Sequence, residues 1–248
     1  MKFALDHFNG VIIDPNALPE NPSQFSAELA ELLAFARGEQ KNLIWLTLPI
    51  SHALLVGEAT AQGFVFHNCQ EQEVTLIHKA PSTEFVPFIP THTLGAGALV
   101  LNAQQQLLVV QEHGMQGYKL PGGHIELGEK IESSIIREVR EETGIATRFE
   151  AVLGFTSRQP VQFGRTNIYF ICRMTPLTEH IAIEDSGEIL DARWVALDSF
   201  VNDPRNAAFN RQMVAELVGT DGLKPIEPVN NTGPYKKHET FFATKKPL

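Results

Sequence analysis

The sequence predicts an α+β protein of two domains, and three observations lead to this prediction. Over roughly residues 8–79, short apolar runs alternate with two amphipathic helical segments in the order β-α-β-α-β-β. Three prolines then fall between residues 81 and 90, a pattern typical of a linker. The second half surrounds one helical segment, residues 130–143, with further apolar runs of strand length.

The domain limits follow from the position of this proline-rich stretch. We expect an N-terminal α/β domain at residues 1–85 and a second domain at residues 91–220. The tail at residues 222–248 is rich in Pro, Asn and Lys. It is expected to be extended or partly disordered unless it docks on the body or on a neighbouring chain.

Helix caps and apolar spacing assign the elements of the first domain. Ser23 is predicted as the N-cap of the first helix, which ends before Gly38, and Ser51 as the cap of the second. The predicted strands are residues 8–14, 42–48, 64–67 and 73–78.

The second domain is predicted to open with a hairpin and to continue with one long helix. Residues 94–101 and 107–112 form the expected hairpin, and Gly144 stops the helix at residues 130–143. The remaining predicted elements are strands at residues 150–157, 167–173 and 192–197, a short helix from Asp198 and a longer one at 207–218.

Composition restricts the class of function. The formal net charge of −9 disfavours a dedicated nucleic-acid binder. Binding of a small anionic substrate is still compatible with this charge, because a metal ion can supply positive charge locally. Cys69 and Cys172 form no CxxC pair and are interpreted as reduced thiols. We find no apolar stretch of signal-peptide or membrane-span length, so we expect a cytoplasmic protein without a membrane partner.

A motif of fixed spacing lies between Gly123 and Ile145. With a residue usage of about one in fifteen, a chance match at a given start is on the order of 10⁻⁹. Its fixed residues are Gly123, Glu129, Arg137, Glu138, Glu141, Glu142 and Gly144, and its aliphatic positions are Val139 and Ile145.

The spacing of this motif indicates a metal site. Residues three and four apart share one face of a helix, so Glu138, Glu141 and Glu142 form one carboxylate cluster. Such a cluster suits a hard divalent cation that also bridges substrate phosphates. A bond from Glu129 to Arg137 would pin the preceding loop to the helix.

The motif resembles the Nudix box at every position. The resemblance implies an α/β/α sandwich with a mixed sheet and hydrolysis of a nucleoside diphosphate linked to another moiety. It further implies Mg²⁺ or Mn²⁺ held by Glu138, Glu141 and Glu142, with Glu129 and Arg137 as structural supports. The glycines Gly122 and Gly123 let the backbone approach the metal or ligand, Gly123 as a metal-site residue and Gly122 as support.

A wider resemblance covers roughly residues 8–200. The chain is similar to two-domain Nudix proteins, which include plant ADP-ribose/NADH pyrophosphatases and an animal Nudix protein encoded antisense to a fibroblast growth factor gene. The stretches that carry it are residues 8–11, 44–50, 63–67 and 118–123. The resemblance implies an N-terminal domain like half of an acetyltransferase-like fold. We expect this domain to act in dimerisation or in covering the active site. Tyr118 stands where these relatives usually have Trp.

Five further residues are candidates for the site, each with an ordinary structural alternative. Glu188 precedes a strand, in a region from which the Nudix resemblance implies a further metal ligand or general base; the alternative is a solvated acidic turn. Tyr118 and Phe163 either stack on a nucleobase or pack in the core or rim. Arg158 and Arg165 flank one loop and either meet a distal phosphate or carboxylate, or are exposed.

The predicted function is hydrolysis of a small nucleotide substrate, with ADP-ribose or NADH favoured by the resemblance. The proton of the attacking water is taken by one of the motif glutamates, with Glu138 and Glu141 named as catalytic beside Glu142, or by Glu188, and the choice of base stays open. Two alternatives remain: a non-catalytic nucleotide sensor, and a hydrolase of another nucleotide such as a dinucleoside polyphosphate. An enzyme acting on nucleic acid is disfavoured by the net charge.

Overall fold

The structure, a computed structural model, describes residues 1–6, 9–81, 91–159, 165–227 and 238–244. The chain forms two compact units, Met1–Pro90 and Thr91–Leu248. Both units combine strands with fewer helices, which confirms the predicted α+β class. Phe8, at the start of a predicted strand, and most of the proline-rich linker lie outside the described residues.

The first unit is a five-stranded mixed sheet with two α-helices. Its order is β1-β2-β3-β5-β4, with β2 and β3 parallel and the other pairs antiparallel. The apolar faces of both helices pack on the sheet around Leu29, Leu46 and Leu55. The elements are β1 (Phe3–Leu5), β2 (Gly10–Ile13), α1 (Pro22–Gly38), β3 (Leu43–Pro49), α2 (Leu55–Ala61), β4 (Val65–Cys69) and β5 (Glu73–Lys79).

Both predicted helix caps in this unit are wrong. The cap of α1 is Asn21, whose Oδ1 accepts from the backbone N–H of Ser23 at 2.9 Å, with Pro22 at the first helical position. Ser51 lies in a 3-10 turn, and α2 begins only at Leu55 with no side-chain cap. The first helix thus begins two residues earlier than Ser23 would place it, and the 3-10 turn moves the start of the second beyond Ser51.

The second unit has a six-stranded sheet and a separate two-stranded ribbon. The sheet order is β13-β12-β9-β10-β6-β8, with only β10 and β6 parallel, and β11 pairs with β7 in the ribbon. The elements are β6 (His92–Val100), β7 (Gln106–Glu112), β8 (Gly122–His124), α3 (Ile131–Thr143), β9 (Thr147–Arg158), β10 (Thr166–Pro176), β11 (Ile189–Ala196), α4 (Leu197–Asn202), α5 (Ala208–Leu217), β12 (Leu223–Pro225) and β13 (Phe241–Ala243).

Helices cover both faces of this six-stranded sheet. Alternate residues of β6 point to opposite faces. Ala98 therefore packs in one cluster with Val139 of α3, and Leu99 packs in another with Val214 of α5. The result is the α/β/α arrangement that the resemblance implies. The helix α3 ends where predicted, with Gly144 in the left-handed region at φ 72°.

The predicted hairpin between the first two strands of this unit is wrong. A tight turn joins β6 to β7, but the two strands share only an isolated bridge between Leu101 and Leu107. Beyond that bridge they diverge, and β7 forms its ladder with β11. The described part of the tail docks on the body: β12 contacts β9 through Leu223 and Val152, and β13 pairs with β12.

No described helix combines the length and the apolar character needed to cross a bilayer.

Candidate active site

The two glycines before α3 bring the backbone next to the acidic side chains of that helix. Gly122 and Gly123 pair with β6 through Gly97 and Ala96. At Gly123, an added Cβ would lie 2.7 Å from a carboxylate oxygen of Glu138, so a side chain there displaces that carboxylate. Gly122 has φ 144°, and its Cβ would overlap the carbonyl of Ala96. Gly122 therefore requires glycine for its backbone conformation, whereas a side chain at Gly123 would shift the Glu138 carboxylate.

Arg137 ties together the loop and the helix. Its Nε and Nη2 donate to Oε1 and Oε2 of Glu129 at 2.9 and 3.0 Å, a two-bond fork. Its Nη1 lies 3.0 Å from Oε1 of Glu138 and donates to Oε2 of Glu141 at 2.9 Å. The hydrogen bonds from Arg137 lower the pKa of Glu129 to about 2.

Glu142 is the buried carboxylate of the group. Its side chain is 5% exposed, and its Oε2 accepts from the backbone N–H of Gly122 at 2.7 Å. Burial raises the pKa of Glu142 to about 7, against the opposite influence of the Lys119 ammonium and the Gly122 N–H. A cation beside Glu142 stabilises the ionised form of this buried carboxyl group.

Three carboxylates from separate elements converge at this point. Glu112, Glu142 and Glu188 each offer one oxygen, and these three oxygens lie within 4.8 Å of one another. Lys119 lies among them: its ammonium pairs with Glu112, lies 3.5 Å from Oε1 of Glu142 and donates to the Gly122 carbonyl at 3.2 Å. We call Glu112, Glu142 and Glu188 the acidic cluster.

Glu112 is not among the residues predicted from the sequence. It ends β7, and the β7–β11 ladder places it opposite Ile189, next to Glu188. The hairpin expected from the sequence joined β7 to β6 instead, so it gave no reason to connect Glu112 with the loop before β11. The sequence feature that could have revealed Glu112 is its position as the last residue of β7, together with that of Glu188 immediately before β11.

The other two glutamates of the motif differ from each other in burial. Glu138 is 14% exposed beside Gly123, and burial raises its pKa despite the neighbouring Arg137. Glu141 is 44% exposed and is held by Arg137. Of the three predicted ligands, Glu138 and Glu142 therefore lie on the inner side of α3, and Glu141 lies at its exposed edge.

The loop that carries Glu188 is held in place by hydrogen bonds to the backbone of Glu188. The carboxylate of Asp185 accepts from the N–H of Glu188 at 3.2 Å, and the carbonyl of Glu188 accepts from the N–H of His113 at 3.0 Å. Glu188 is therefore fixed relative to the end of β7, in agreement with a loop position that faces the site.

A cavity of about 500 Å³ opens beside the acidic cluster. Its lining includes the predicted residues Gly122, Gly123, Arg158, Arg165 and Glu188. Phe163, the predicted stacking residue in the same loop, lies outside the described residues. Lining residues that were not predicted are Thr93, Gly95, Glu112, Lys119, His124, Asn167 and Tyr169.

Tyr169 explains why two glycines occur in β6. A Cβ on Gly95 would lie 2.9 Å from the Tyr169 ring, and one on Gly97 would overlap its hydroxyl. These glycines leave room for an aromatic side chain at the cavity wall, and burial raises the pKa of that phenol.

Tyr118 lies away from the cavity lining. Its hydroxyl donates to Oδ2 of Asp191 at 2.7 Å, and the Arg193 guanidinium lies 4.9 Å from its ring centre. Its backbone N–H donates to Asn206 at 2.8 Å. Stacking of Tyr118 on a nucleobase stays a prediction.

Comparison with known protein families matches both units. The NUDIX domain model matches residues 91–217, and a Nudix hydrolase domain model matches residues 1–79. The chain belongs to the Nudix hydrolase family. As a member, it is a hydrolase of pyrophosphate bonds in small nucleoside-diphosphate compounds, and the family generally uses divalent metal ions.

Curated relatives of this Nudix hydrolase come from plants and animals. Nudix hydrolase 2 of Arabidopsis thaliana is 32% identical over 250 residues, which cover 97% of this chain and 89% of the relative. Nudix hydrolase 8 of the same plant is 38% identical over 80% of this chain, and the match spans 56% of that relative. Nucleoside diphosphate-linked moiety X motif 6 of Homo sapiens is 31% identical over 78% of this chain and 64% of the relative.

Solved structures that resemble this Nudix hydrolase cover about half of it. A mutator MutT protein from Bacillus halodurans has 23% identity and a TM-score of 0.45, covering 52% of this chain and 84% of its own. A MutT protein from Methanosarcina mazei has 19% identity and a TM-score of 0.45, over 53% and 96% of the two chains.

Proposed function

We propose that this Nudix hydrolase cleaves the pyrophosphate linkage of ADP-ribose or NADH with Mg²⁺ or Mn²⁺ bound. The observation that carries the proposal is the acidic cluster at the wall of a cavity of about 500 Å³, with Arg158 and Arg165 also in its lining. A cavity of this size suits a nucleotide. The choice of these two substrates rests on the resemblance to two-domain Nudix proteins.

The residues present fit a divalent cation. The acidic cluster offers hard oxygen donors, Glu142 is buried with a raised pKa, and a Lys ammonium already serves as a cation there. The proposed ligands are Glu138, Glu141, Glu142 and the carbonyl of Gly123, and Glu112 is proposed beside them because its carboxylate lies next to that of Glu142. When bound, the ion neutralises the pyrophosphate and makes a water molecule more acidic.

Glu188 is the proposed general base. Within the described ranges its carboxylate forms no ion pair, whereas Arg137 holds Glu138 and Glu141. Glu188 also lines the cavity, so its carboxylate is open to a water molecule there. It takes a proton from that water as the oxygen attacks phosphorus, and the other phosphate leaves.

Cationic and aromatic side chains are proposed to orient the substrate, and of these Phe163 is proposed from the sequence alone. Arg158 and Arg165 meet a phosphate or carboxylate remote from the bond that breaks. Phe163, between them in sequence, is proposed to stack on the base. Tyr169 offers a phenol at the same wall.

We also propose a cytoplasmic homodimer. Both cysteines, Cys69 and Cys172, are free thiols, the usual state in a reducing compartment. The first unit exposes several large apolar side chains, among them Leu5 at 58% and Phe66 at 65%. Light scattering after gel filtration measures the mass, and a monomer at micromolar concentration would contradict the dimer.

A nucleotide panel tests the proposed reaction. Phosphate released through a coupling phosphatase is measured for ADP-ribose, NADH, NAD, FAD, diadenosine polyphosphates, CoA and nucleoside triphosphates, each with Mg²⁺ and with Mn²⁺. ADP-ribose or NADH is expected to give the highest kcat/KM, and EDTA to abolish it. A preference for a dinucleoside polyphosphate would contradict the substrate, and a blank panel from folded, metal-binding protein would contradict the reaction.

A further inference from the structure

We propose that Glu239, in the C-terminal segment, is a positioning residue that fixes the start of α3 and, through it, the metal-site carboxylates. The importance of those carboxylates rests on the proposed function. The contact is independent of that function, because it consists of two hydrogen bonds between residues 107 and 108 positions apart in the sequence.

The contact is a carboxylate placed on a helix N-terminus. Oε2 of Glu239 accepts from the backbone N–H of Ile131 at 2.7 Å, and Oε1 accepts from that of Glu132 at 3.0 Å. These are the first two residues of α3. The first N–H groups of a helix have no partner within it, and the helix dipole favours an anion at this end.

The sequence beside the helix leaves this end in need of an acceptor. Lys130 occupies the N-cap position, and an ammonium side chain cannot accept a hydrogen bond. Its positive charge is also on the unfavourable end of the helix dipole. Ser133 instead accepts from the backbone N–H of Lys130 at 3.2 Å, so its hydroxyl does not serve Ile131 or Glu132. Glu239 therefore supplies the hydrogen-bond acceptors for Ile131 and Glu132 that the residues next to the helix do not provide.

Two further contacts hold this part of the tail against the body. β13 pairs with β12, which contacts β9, and the Phe241 ring lies 5.6 Å from the ring of Phe149. Phe241 packs against the same apolar cluster that contains Ile135 and Val139 of α3. The segment follows residue 217, where the match to the NUDIX domain ends. It thus adds an outside support to the helix of the motif.

The helix transmits this support to the site. Glu129 lies two residues before Ile131 and binds Arg137, and Glu138 and Glu142 lie further along the same helix. A helix advances about 1.5 Å per residue as one rigid element, so Glu138 is about 10 Å from the contact. Fraying of the first turn would loosen the Glu129 loop and the pairing of Arg137 with Glu138.

The test uses the full chain with Glu239→Gln, Glu239→Ala and Glu239→Asp. Two readouts that need no turnover are taken: Mn²⁺ affinity by electron paramagnetic resonance, and amide exchange at Ile131 and Glu132. Glu227→Gln, which removes an exposed tail carboxylate without a described partner, is the matched control. We expect about three- to fivefold weaker Mn²⁺ binding and at least tenfold faster exchange for Gln and Ala, and partial rescue by Asp.

Activity supplies a further criterion that a purely stabilising role would not meet. The kcat lost in Glu239→Gln should return at saturating Mn²⁺, with KM for nucleotide unchanged. A lower melting temperature with Mn²⁺ affinity equal to that of Glu227→Gln would overturn the positioning role. Unchanged amide exchange would overturn the contact. If the unmodified protein bound no Mn²⁺, the proposed metal function would fail, and faster exchange of the segment 126–138 in Glu239→Gln would still support the contact.

Discussion

The ammonium of Lys119 lies 3.5 Å from Oε1 of Glu142, inside the acidic cluster. Burial lowers the pKa of Lys119, but the carboxylates of Glu142 and Glu112 outweigh this effect and the net pKa is raised. The lysine is therefore a fixed positive charge that compensates a buried carboxylate before any metal binds. A metal ion at the cluster would have to share these carboxylates with it.

Lys119→Met should destabilise the metal-free protein and tighten metal binding. Glu142 loses its charged partner, which costs about 1–3 kcal/mol of unfolding free energy. A divalent ion no longer meets the ammonium, so Mg²⁺ should restore most of that loss. Urea unfolding in EDTA and in Mg²⁺ measures both effects, with exposed Lys79→Met as the control. Equal losses in the two buffers would mean that Lys119 and the metal occupy separate places.

Glu129→Gln should reduce stability in a way that depends on pH. The pKa of Glu129 is lowered from 4.5 to about 2 by the hydrogen bonds from Arg137. Its ionised form therefore adds stability that is complete above pH 4.5 and is lost as the pH falls towards 2. We expect a difference of about 1–2 kcal/mol at pH 7 that shrinks below pH 4.5. Unfolding free energies at pH 7, 5, 4 and 3 measure it, and a constant difference would refute the ion-pair origin.

Gly123→Ala should inactivate the enzyme while leaving it folded. The new methyl group would lie 2.7 Å from a Glu138 oxygen and would displace that carboxylate. A loss on the order of 10²-fold in kcat is expected. In Gly154→Ala the nearest contact is 3.7 Å, an ordinary van der Waals distance, so this variant is the control for glycine replacement. Full activity in Gly123→Ala would show that Glu138 tolerates the shift.

Arg158→Gln should weaken substrate binding more than turnover. The Arg158 guanidinium lies 4.5 Å from the Phe209 ring centre, and Arg158 lines the cavity. Loss of a charged contact to a remote phosphate should raise KM about tenfold with kcat nearly unchanged. Arg148→Gln, an exposed arginine of the same strand, is the control. A fall in kcat at constant KM would place Arg158 at the reacting phosphate instead.

Local spacing in the sequence was sufficient for the helix of the motif and insufficient for its surroundings. The i, i+3 and i, i+4 positions place Glu138, Glu141 and Glu142 on α3 because a helix has one geometry. The same local logic placed Gly144 at the helix end.

Residues that reach the site through long-range pairing were missed. Glu112 reaches the site because β7 pairs with β11 and not with β6, and strand partners are set by the packing of whole sheets. Glu239 reaches Ile131 across 108 positions, although Lys130 at the N-cap was a local sign that an acceptor must come from elsewhere. Tyr118, predicted from its aromatic character, is bonded to Asp191 and Asn206 and is not among the cavity-lining residues, and its stacking on a base stays a prediction.

The rate of AMP release from ADP-ribose, compared between the unmodified protein and Glu142→Gln, tests the central claim most directly. Gln keeps the shape of Glu142 but removes the buried carboxylate that anchors the acidic cluster. With saturating Mg²⁺, the account predicts AMP release by the unmodified protein and a loss on the order of 10²-fold or more in the variant, with unchanged circular dichroism. Near-normal release by Glu142→Gln, or none by the folded unmodified protein, would contradict it.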